Sequence, residues 1–160
     1  MISFRFSGHW FLALIYNLPF LVGKARMDKN SRRAPIIMID SIVYGSEDGF
    51  DGCPSSRERE ADLIRSFVRC EWLAKGESSL PDFTPESMLL YYPKVQQPEN
   101  GYDCGVFVML FFETFLNRKC PVSDLLSDQI LLWYNQSAAL PMRERMTNII
   151  LGFGNILSSD

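Results

Sequence analysis

Histidine occurs once in this 160-residue chain, and no two of its four cysteines form a Cys-x-x-Cys pair. A zinc site is therefore left with too few ligands, and no metal or other cofactor is expected. Long apolar runs are missing as well: the longest, Trp10–Tyr16 and Gly105–Phe112, fall far short of the ~18 residues that suggest a membrane span. A soluble protein with no membrane partner is expected. Basic charge is not in excess, because 16 Lys and Arg stand against 19 Asp and Glu, for a net charge of −3. That balance argues against a binder of phosphate backbones, so nucleic acid is not expected as a partner. Repeats and low-complexity tracts are absent, and a chain 47% apolar and 22% charged is neither disordered, collagenous nor a coiled coil. Residues 1–160 read as one domain, which at this length can bury roughly 70% of its unfolded surface without disulfides or metal. Met1–Leu21 superficially resembles a leader peptide, but His9 interrupts it and no small-residue cleavage site follows, so it reads as mature sequence. Cys53, Cys70, Cys104 and Cys120 read as free thiols in a reducing compartment.

Turn residues divide the chain into elements. Trp10–Tyr16 (WFLALIY) is a continuous apolar run closed by Asn17 and Pro19, as expected of a strand buried on both faces. A basic loop from Lys24 to Arg33 follows, then a second β-branched run, Pro35–Asp40 (PIIMID), which steps into a loop containing Gly45, Gly49 and Gly52. From Ser55 the period becomes helical: Ser55 and Glu58 have capping-box spacing, Leu63, Ile64, Phe67, Val68 and Trp72 recur on one face, and Gly76 marks the end. Leu89–Val95 reads as a strand broken by Pro93, and Gln96–Tyr102 as a turn-forming loop. Asp103–Asn117 is apolar almost all round, the pattern of a central buried helix, with further helices expected at about Ser123–Tyr134 and Pro141–Leu157. The pattern is that of an α+β fold, strands first and helices packed on them.

Three residues carry the candidate chemistry. Cys104 stands where a loop hands over to a helix, so its sulfur meets unpaired backbone N–H groups and the positive end of the helix dipole, which favour a thiolate. Gly105 leaves room for a substrate backbone to approach, and Asp103 is suited to cap the helix. The plainer alternative for a lone cysteine is a small buried hydrophobe, and Cys53, Cys70 and Cys120 receive that reading. His9, at the edge of the first apolar run, is the one side chain whose ordinary titration suits proton transfer near neutrality. Asp40, at the end of PIIMID, is suited to orient an imidazole, its plainer role being that of a turn former.

The strings GHWFLALI, PIIMIDS and QQPENGYDCGVFVMLFFETF resemble the three signature blocks of the ubiquitin-like-protein-specific proteases, the SUMO- or sentrin-specific cysteine proteases, which carry their catalytic residues in the order His, Asp, Cys. The resemblance covers about Ser7 to Phe115 well and Trp133 to Ile150 loosely, and the gapped loop after PIIMIDS is similar to the subgroup with inserted loops. It implies a papain-like fold in which Cys104 attacks the carbonyl after the Gly-Gly tail of SUMO, His9 moves the proton and Asp40 holds the ring. It implies too that Trp10 walls a tunnel for the diglycine tail, that SUMO or SUMO-conjugated proteins are the partners, and that the protein is a monomer in the nucleus or cytoplasm. Two departures stand out. The family's oxyanion glutamine lies six residues before the cysteine, where this chain has Pro98; Gln97, one position earlier, is the expected donor through a one-residue shift, with Asn100 as fallback. Only eight residues precede His9, whereas the family's catalytic domains begin well upstream, so an amino-terminally truncated domain is expected. Two alternatives stay open: a protease for another ubiquitin-like protein, and an inactive truncated relative that only binds a partner.

Overall fold

The structure, a computed structural model, describes residues 2–6, 8–21, 33–41, 57–76, 83–118 and 136–157. Its centre is a four-stranded sheet of order β1-β2-β3-β4, formed by β1 (Ile2–Phe6), β2 (His9–Ile15), β3 (Ile36–Ile39) and β4 (Leu90–Tyr91). The first two strands make an antiparallel hairpin whose last pair is Phe6 with His9, and the intervening turn uses Gly8 at φ 84°, a conformation costly for any residue with a Cβ. β3 pairs antiparallel with β2 and β4 parallel with β3. Helices α1 (Leu18–Leu21), α2 (Glu58–Ala74), α3 (Cys104–Arg118) and α4 (Ala139–Leu157) complete the described elements, α4 entered through a 3-10 turn at Gln136–Ala138.

The two apolar runs are continuous because each strand buries both faces. Phe11, Ala13, Ile36 and Met38 meet Ala61, Ile64 and Val68 of α2 on one side of the sheet. Leu12, Leu14, Ile37 and Ile39 meet Val106, Phe107 and Phe111 of α3 and Met142 of α4 on the other. Alternate residues of one strand thus feed two cores, the consequence of a side-chain period of two. The architecture is mixed α/β, with a mainly antiparallel sheet between helices, and α2 falls between β3 and β4 rather than after all the strands.

Several expectations need correction. α2 starts at Glu58 with Arg57 at its N-cap and no side-chain cap bond, so a Ser55–Glu58 capping box is not what opens it; Ser55 itself lies outside the described residues. Its buried face is Glu60, Ala61, Ile64, Arg65, Val68 and Trp72, while Leu63 and Phe67 are exposed. Arg65 earns its buried place by donating to Asp62 at 2.7 Å, Glu58 at 3.2 Å and the Met88 carbonyl at 2.9 Å. The helix stops as expected: Gly76, at φ 72°, donates its N–H to Leu73 O at 3.0 Å. α3 is less completely buried than its sequence suggests, with Met109, Phe112 and Leu116 exposed. β1 was not expected, the strand after Leu89 is only two residues long, and α4 begins two residues before Pro141. The helix expected at Ser123–Tyr134, Cys53, Cys120, the glycine loop after Ser41 and residues 24–32 of the basic loop lie outside the described residues. Among the described residues no helix is long and apolar enough to cross a membrane, and no cluster of three or more His, Cys, Asp or Glu could hold a metal ion.

Candidate active site

Asp40 is the first residue beyond β3, and His9 is the first residue of β2. With Leu12 opposite Ile39, the register carried one step further sets Asp40 opposite Phe11, the residue on the same face of β2 as His9. A diagonal pair of that kind lies within reach of long side chains. Here it closes into a hydrogen bond, His9 Nε2 to Asp40 Oδ1 at 2.6 Å. A carboxylate only accepts, so Nε2 carries the hydrogen, and in the neutral imidazole Nδ1 is then the nitrogen with the lone pair. That Nδ1 is buried and has no hydrogen-bond partner among the described residues, which leaves a nitrogen ready to take a proton. The ring of His9 also stacks against Phe11, centroids 6.3 Å apart, and the Asp40 side chain is 1% exposed.

The thiol comes from the other face. Cys104 is the first residue of α3, and it is buried. Trp10 points to the α3 side of the sheet, where its indole lies against Gly105: a Cβ built on that glycine would stand 3.4 Å from Trp10 Cδ1. This contact brings the head of β2, His9 included, to the first turn of the helix that carries Cys104. Trp10 is 38% exposed, so its indole is not a core side chain but a partly open wall beside a partly open Gly105. Cys70, by contrast, is exposed on α2, on the face turned from the sheet.

Asp103 holds the N-cap position of α3, since its carbonyl accepts the Phe107 N–H at 2.9 Å. Its side chain does not cap. One carboxylate oxygen accepts from Nε of Arg143 at 2.8 Å and from the same guanidinium's Nη2, and the other accepts from Asn100 Nδ2 at 2.7 Å and Gln136 Nε2 at 3.3 Å. Burial pushes the Asp103 carboxyl up, but the bonds from Asn100 and Arg143, the Arg143 charge and the Gln136 bond outweigh it and hold the group below the usual carboxylate range. Turned toward α4, the carboxylate leaves the first amides of α3, the ones around Cys104, without a side-chain acceptor from this residue.

Asn100 is spent on the same loop. Its Oδ1 accepts the N–H groups of Tyr102 at 3.1 Å and Asp103 at 2.9 Å, an Asx turn that delivers the chain to α3. It is therefore a turn former and not an available oxyanion donor. Gln97 is half-buried, and its Nε2 donates to the Val95 carbonyl at 3.5 Å, the outer limit of a hydrogen bond, so its amide is weakly held.

Sequence reading missed three polar partners. Arg57 forks onto Asp40 Oδ2 with Nε at 3.1 Å and Nη2 at 2.8 Å, and Arg143 and Gln136 anchor Asp103 from 40 and 33 residues away. Nothing local marks them. Arg57 opens the alternating string RERE, which reads as a solvated helix start, and its partner is 17 residues distant.

The chain matches the Ulp1 protease family, C-terminal catalytic domain, over residues 1–149. It is 31% identical over 106 residues to Sentrin-specific protease 6 of Mus musculus, covering 66% of this chain and 9% of that protein. It is 24% identical over 115 residues to Probable ubiquitin-like-specific protease 2B of Arabidopsis thaliana, covering 70% of this chain and 11% of the relative. Over 123 residues it is 24% identical to Sentrin-specific protease 7 of Rattus norvegicus, with coverage of 77% and 11%. The chain spans about a tenth of the length of these curated relatives. A match running from β1 into α4 takes in the head of β2, the end of β3 and the first turn of α3 together, and the chain belongs to the Ulp1 protease family, within its C-terminal catalytic domain.

Proposed function

We propose that the chain is a thiol protease and isopeptidase that cleaves after the Gly-Gly tail of SUMO, in precursors or on modified lysines. The observation that carries this reading is the 2.6 Å bond from His9 Nε2 to Asp40, made at the head of the strand whose next residue packs on the helix that begins with Cys104. With Nε2–H held by Asp40, the lone pair on Nδ1 accepts the Cys104 proton, and the thiolate sulfur adds to the carbonyl carbon of the terminal glycine. The carbonyl electrons move to oxygen, where the first amides of α3 and the Gln97 side chain supply the hydrogen bonds that stabilise the tetrahedral anion. Collapse expels the amine, which takes its proton from the His9 imidazolium, and a thioester remains on Cys104. Water, deprotonated by His9, then attacks the thioester; the tail leaves as a carboxylic acid and the thiol is restored. Trp10 and Gly105, packed on one another, form one wall beside which the tail lies, and a diglycine without side chains can approach that wall closely. No step requires a cofactor. A free nucleophilic thiol suits a reducing, intracellular setting, nuclear or cytoplasmic.

The family relationship supports cysteine-protease chemistry on ubiquitin-like proteins, and the names of the relatives include both sentrin and ubiquitin-like specificity. The test is therefore a matched set of probes: SUMO, ubiquitin and another Gly-Gly-tailed ubiquitin-like protein, each bearing a carboxy-terminal electrophile. Covalent labelling by the SUMO probe, lost in Cys104→Ala and kept in Cys70→Ala, is the expected result. Labelling that survives Cys104→Ala overturns the nucleophile, labelling by another member alone moves the substrate, and simple non-covalent capture with no adduct favours a binding module.

A further inference from the structure

We propose that Arg57 is the positioning residue of the Asp40–His9 couple, fixing the carboxylate and the imidazole at the same time; the inference rests on the protease reading. The two oxygens of Asp40 face different partners. Oδ1 receives His9 Nε2 at 2.6 Å, and Oδ2 receives Nε and Nη2 of Arg57 at 3.1 and 2.8 Å. The Asp40 side chain is 1% exposed, so water is not at hand to satisfy the oxygen that His9 leaves over. Without Arg57 that oxygen would lose a two-point charged hold, and rotation about Cβ–Cγ, which exchanges the two oxygens in front of His9, would become easier. The planar fork of a guanidinium suppresses the rotation in a way that a single donor cannot.

The second route runs through a ring. The Arg57 Cζ lies 4.2 Å from the centroid of Phe11, and Phe11, fully buried, stacks on His9 with ring planes 28° apart. Arg57, Phe11 and His9 thus form one layered unit with Asp40 as its hydrogen-bonded edge. Displacing the guanidinium loosens both supports of the imidazole, the carboxylate and the stacked ring.

A cation beside the orienting carboxylate raises an objection, because it draws off the negative charge that an imidazolium needs. Glu60 answers it. Its Oε1 stands 3.5 Å from Arg57 Nη1, and the residue is buried. Asp40 and Glu60 together with Arg57 leave one negative charge in the cluster, and protonated His9 brings it to zero. Among the described residues the other titratable groups facing the cluster are Glu58, whose charge is met by Arg65 at 3.2 Å, and Tyr92. Burial, then the charge of Glu58, raises the Tyr92 hydroxyl well above the ordinary phenol range, with Arg57 opposing and Glu60 and Asp40 adding to the rise, so it stays neutral. The arrangement lets Arg57 bind Asp40 tightly without spending the charge that the proton-transfer step uses.

Because the chain has one histidine, its imidazole nitrogens give a nitrogen-15 spectrum with a single residue in it. In the unaltered protein that spectrum should show one tautomer, Nε2–H, with a hydrogen-bonded proton shifted downfield. Arg57→Met should broaden or lose that proton signal and lower kcat on a SUMO substrate by about 10- to 100-fold, with KM little changed, the size of effect expected from slight misplacement of a reacting group. Arg57→Lys, which keeps the charge and loses the fork, should fall between the two in both readouts. An unaltered imidazole spectrum with full kcat in Arg57→Met overturns the proposal; if Arg57→Met does not fold, a wild-type spectrum and kcat in Arg57→Lys overturn it instead. The spectrum is read on resting protein without substrate, so it decides the role of Arg57 even where the SUMO probe fails to label Cys104 and the protease reading itself falls.

Discussion

Replacing Gly105 by alanine separates what the first turn of α3 does for stability from what it does for chemistry. A Cβ at this position would lie 3.4, 3.8 and 3.9 Å from Cδ1, Cγ and Nε1 of Trp10, ordinary van der Waals contacts that require no backbone shift. The residue is helical, so alanine meets no conformational penalty there and restricts the unfolded chain. The expected gain is about 0.5–1 kcal/mol, toward the lower end because the position is at a helix end rather than its interior. For a domain of this size that corresponds to a rise in Tm of about 1–4 °C. The same methyl group adds bulk to the partly open surface that Gly105 and the Trp10 indole share, on which a diglycine tail would lie, and displacing a reacting carbonyl by about 1 Å costs about 100-fold in rate. Hydrolysis of SUMO carrying a carboxy-terminal fluorophore should therefore drop about 100-fold in kcat/KM while thermal unfolding moves up or stays put. Alkylation of Cys104 by a small reagent such as iodoacetamide, which needs no channel, should be preserved. Full kcat/KM in Gly105→Ala would show that the tail does not lie on the surface that Trp10 and Gly105 share, and a fall in Tm would show that the glycine serves packing instead.

Two further substitutions test the loop before α3. Gln97→Ala should lower kcat by about 100-fold or more with KM nearly unchanged, the signature of a lost oxyanion donor, whereas a change confined to KM would assign the residue to substrate binding. Asp103→Asn removes a carboxylate that Arg143, Asn100 and Gln136 hold, and should cost about 1–3 kcal/mol at neutral pH in chemical denaturation. The folded carboxyl lies below its ordinary value of 3.8, so its contribution is complete above that value and is lost as pH falls through the lower folded one. The stability gap between the two proteins should accordingly narrow below about pH 4; a gap that stays constant down to strongly acid conditions would show that the loss is steric.

How far the site was legible in the sequence depends on the distance over which each residue finds its partner. β2 and β3 could be read because two-sided burial writes itself as an unbroken apolar run, and the start of α3 could be read because a turn-forming loop ends where helical apolar residues begin. The face of α2 could not. Leu63 and Phe67 fit the helical period yet are exposed, while Arg65 is buried with Asp62, Glu58 and the Met88 carbonyl accepting from its two terminal nitrogens. Hydrophobic periodicity contains no information about whether a cation's donors will be matched. Arg57 was hidden for a related reason: an arginine in an alternating charged string becomes a specific residue only when a carboxylate 17 positions away arrives beside it. Asp103 was assigned to the right place and the wrong task, since capping is the local use of an aspartate before a helix and Arg143, 40 residues on, outcompetes it.

The parity of β2 explains why the proposed base and nucleophile are carried to the same corner of the fold. His9 shares a face with Phe11 and belongs to the α2 core, through Asp40 and Arg57; Trp10, one residue on, turns to the α3 core and rests on Gly105. His9 and Cys104 are thus attached to different cores, and the element that relates them is a strand paired on both sides, with β1 and with β3. A doubly paired strand has no free edge along which to slip, and a one-residue slip would exchange the faces of His9 and Trp10 outright. Each functional side chain stands at the end of an element: His9 at the start of β2, Asp40 just past β3, Arg57 just before α2, Cys104 at the start of α3. At such positions the backbone is held by its ladder or helix while the side chain is not yet committed to filling the core, so the placement supplies rigidity without occupying the groups that must react. It follows that core substitutions on the two sides should reach the site by different routes. Weakening the α2 core should disturb the Asp40–His9 bond first, and weakening the α3 core should first loosen Trp10 on Gly105.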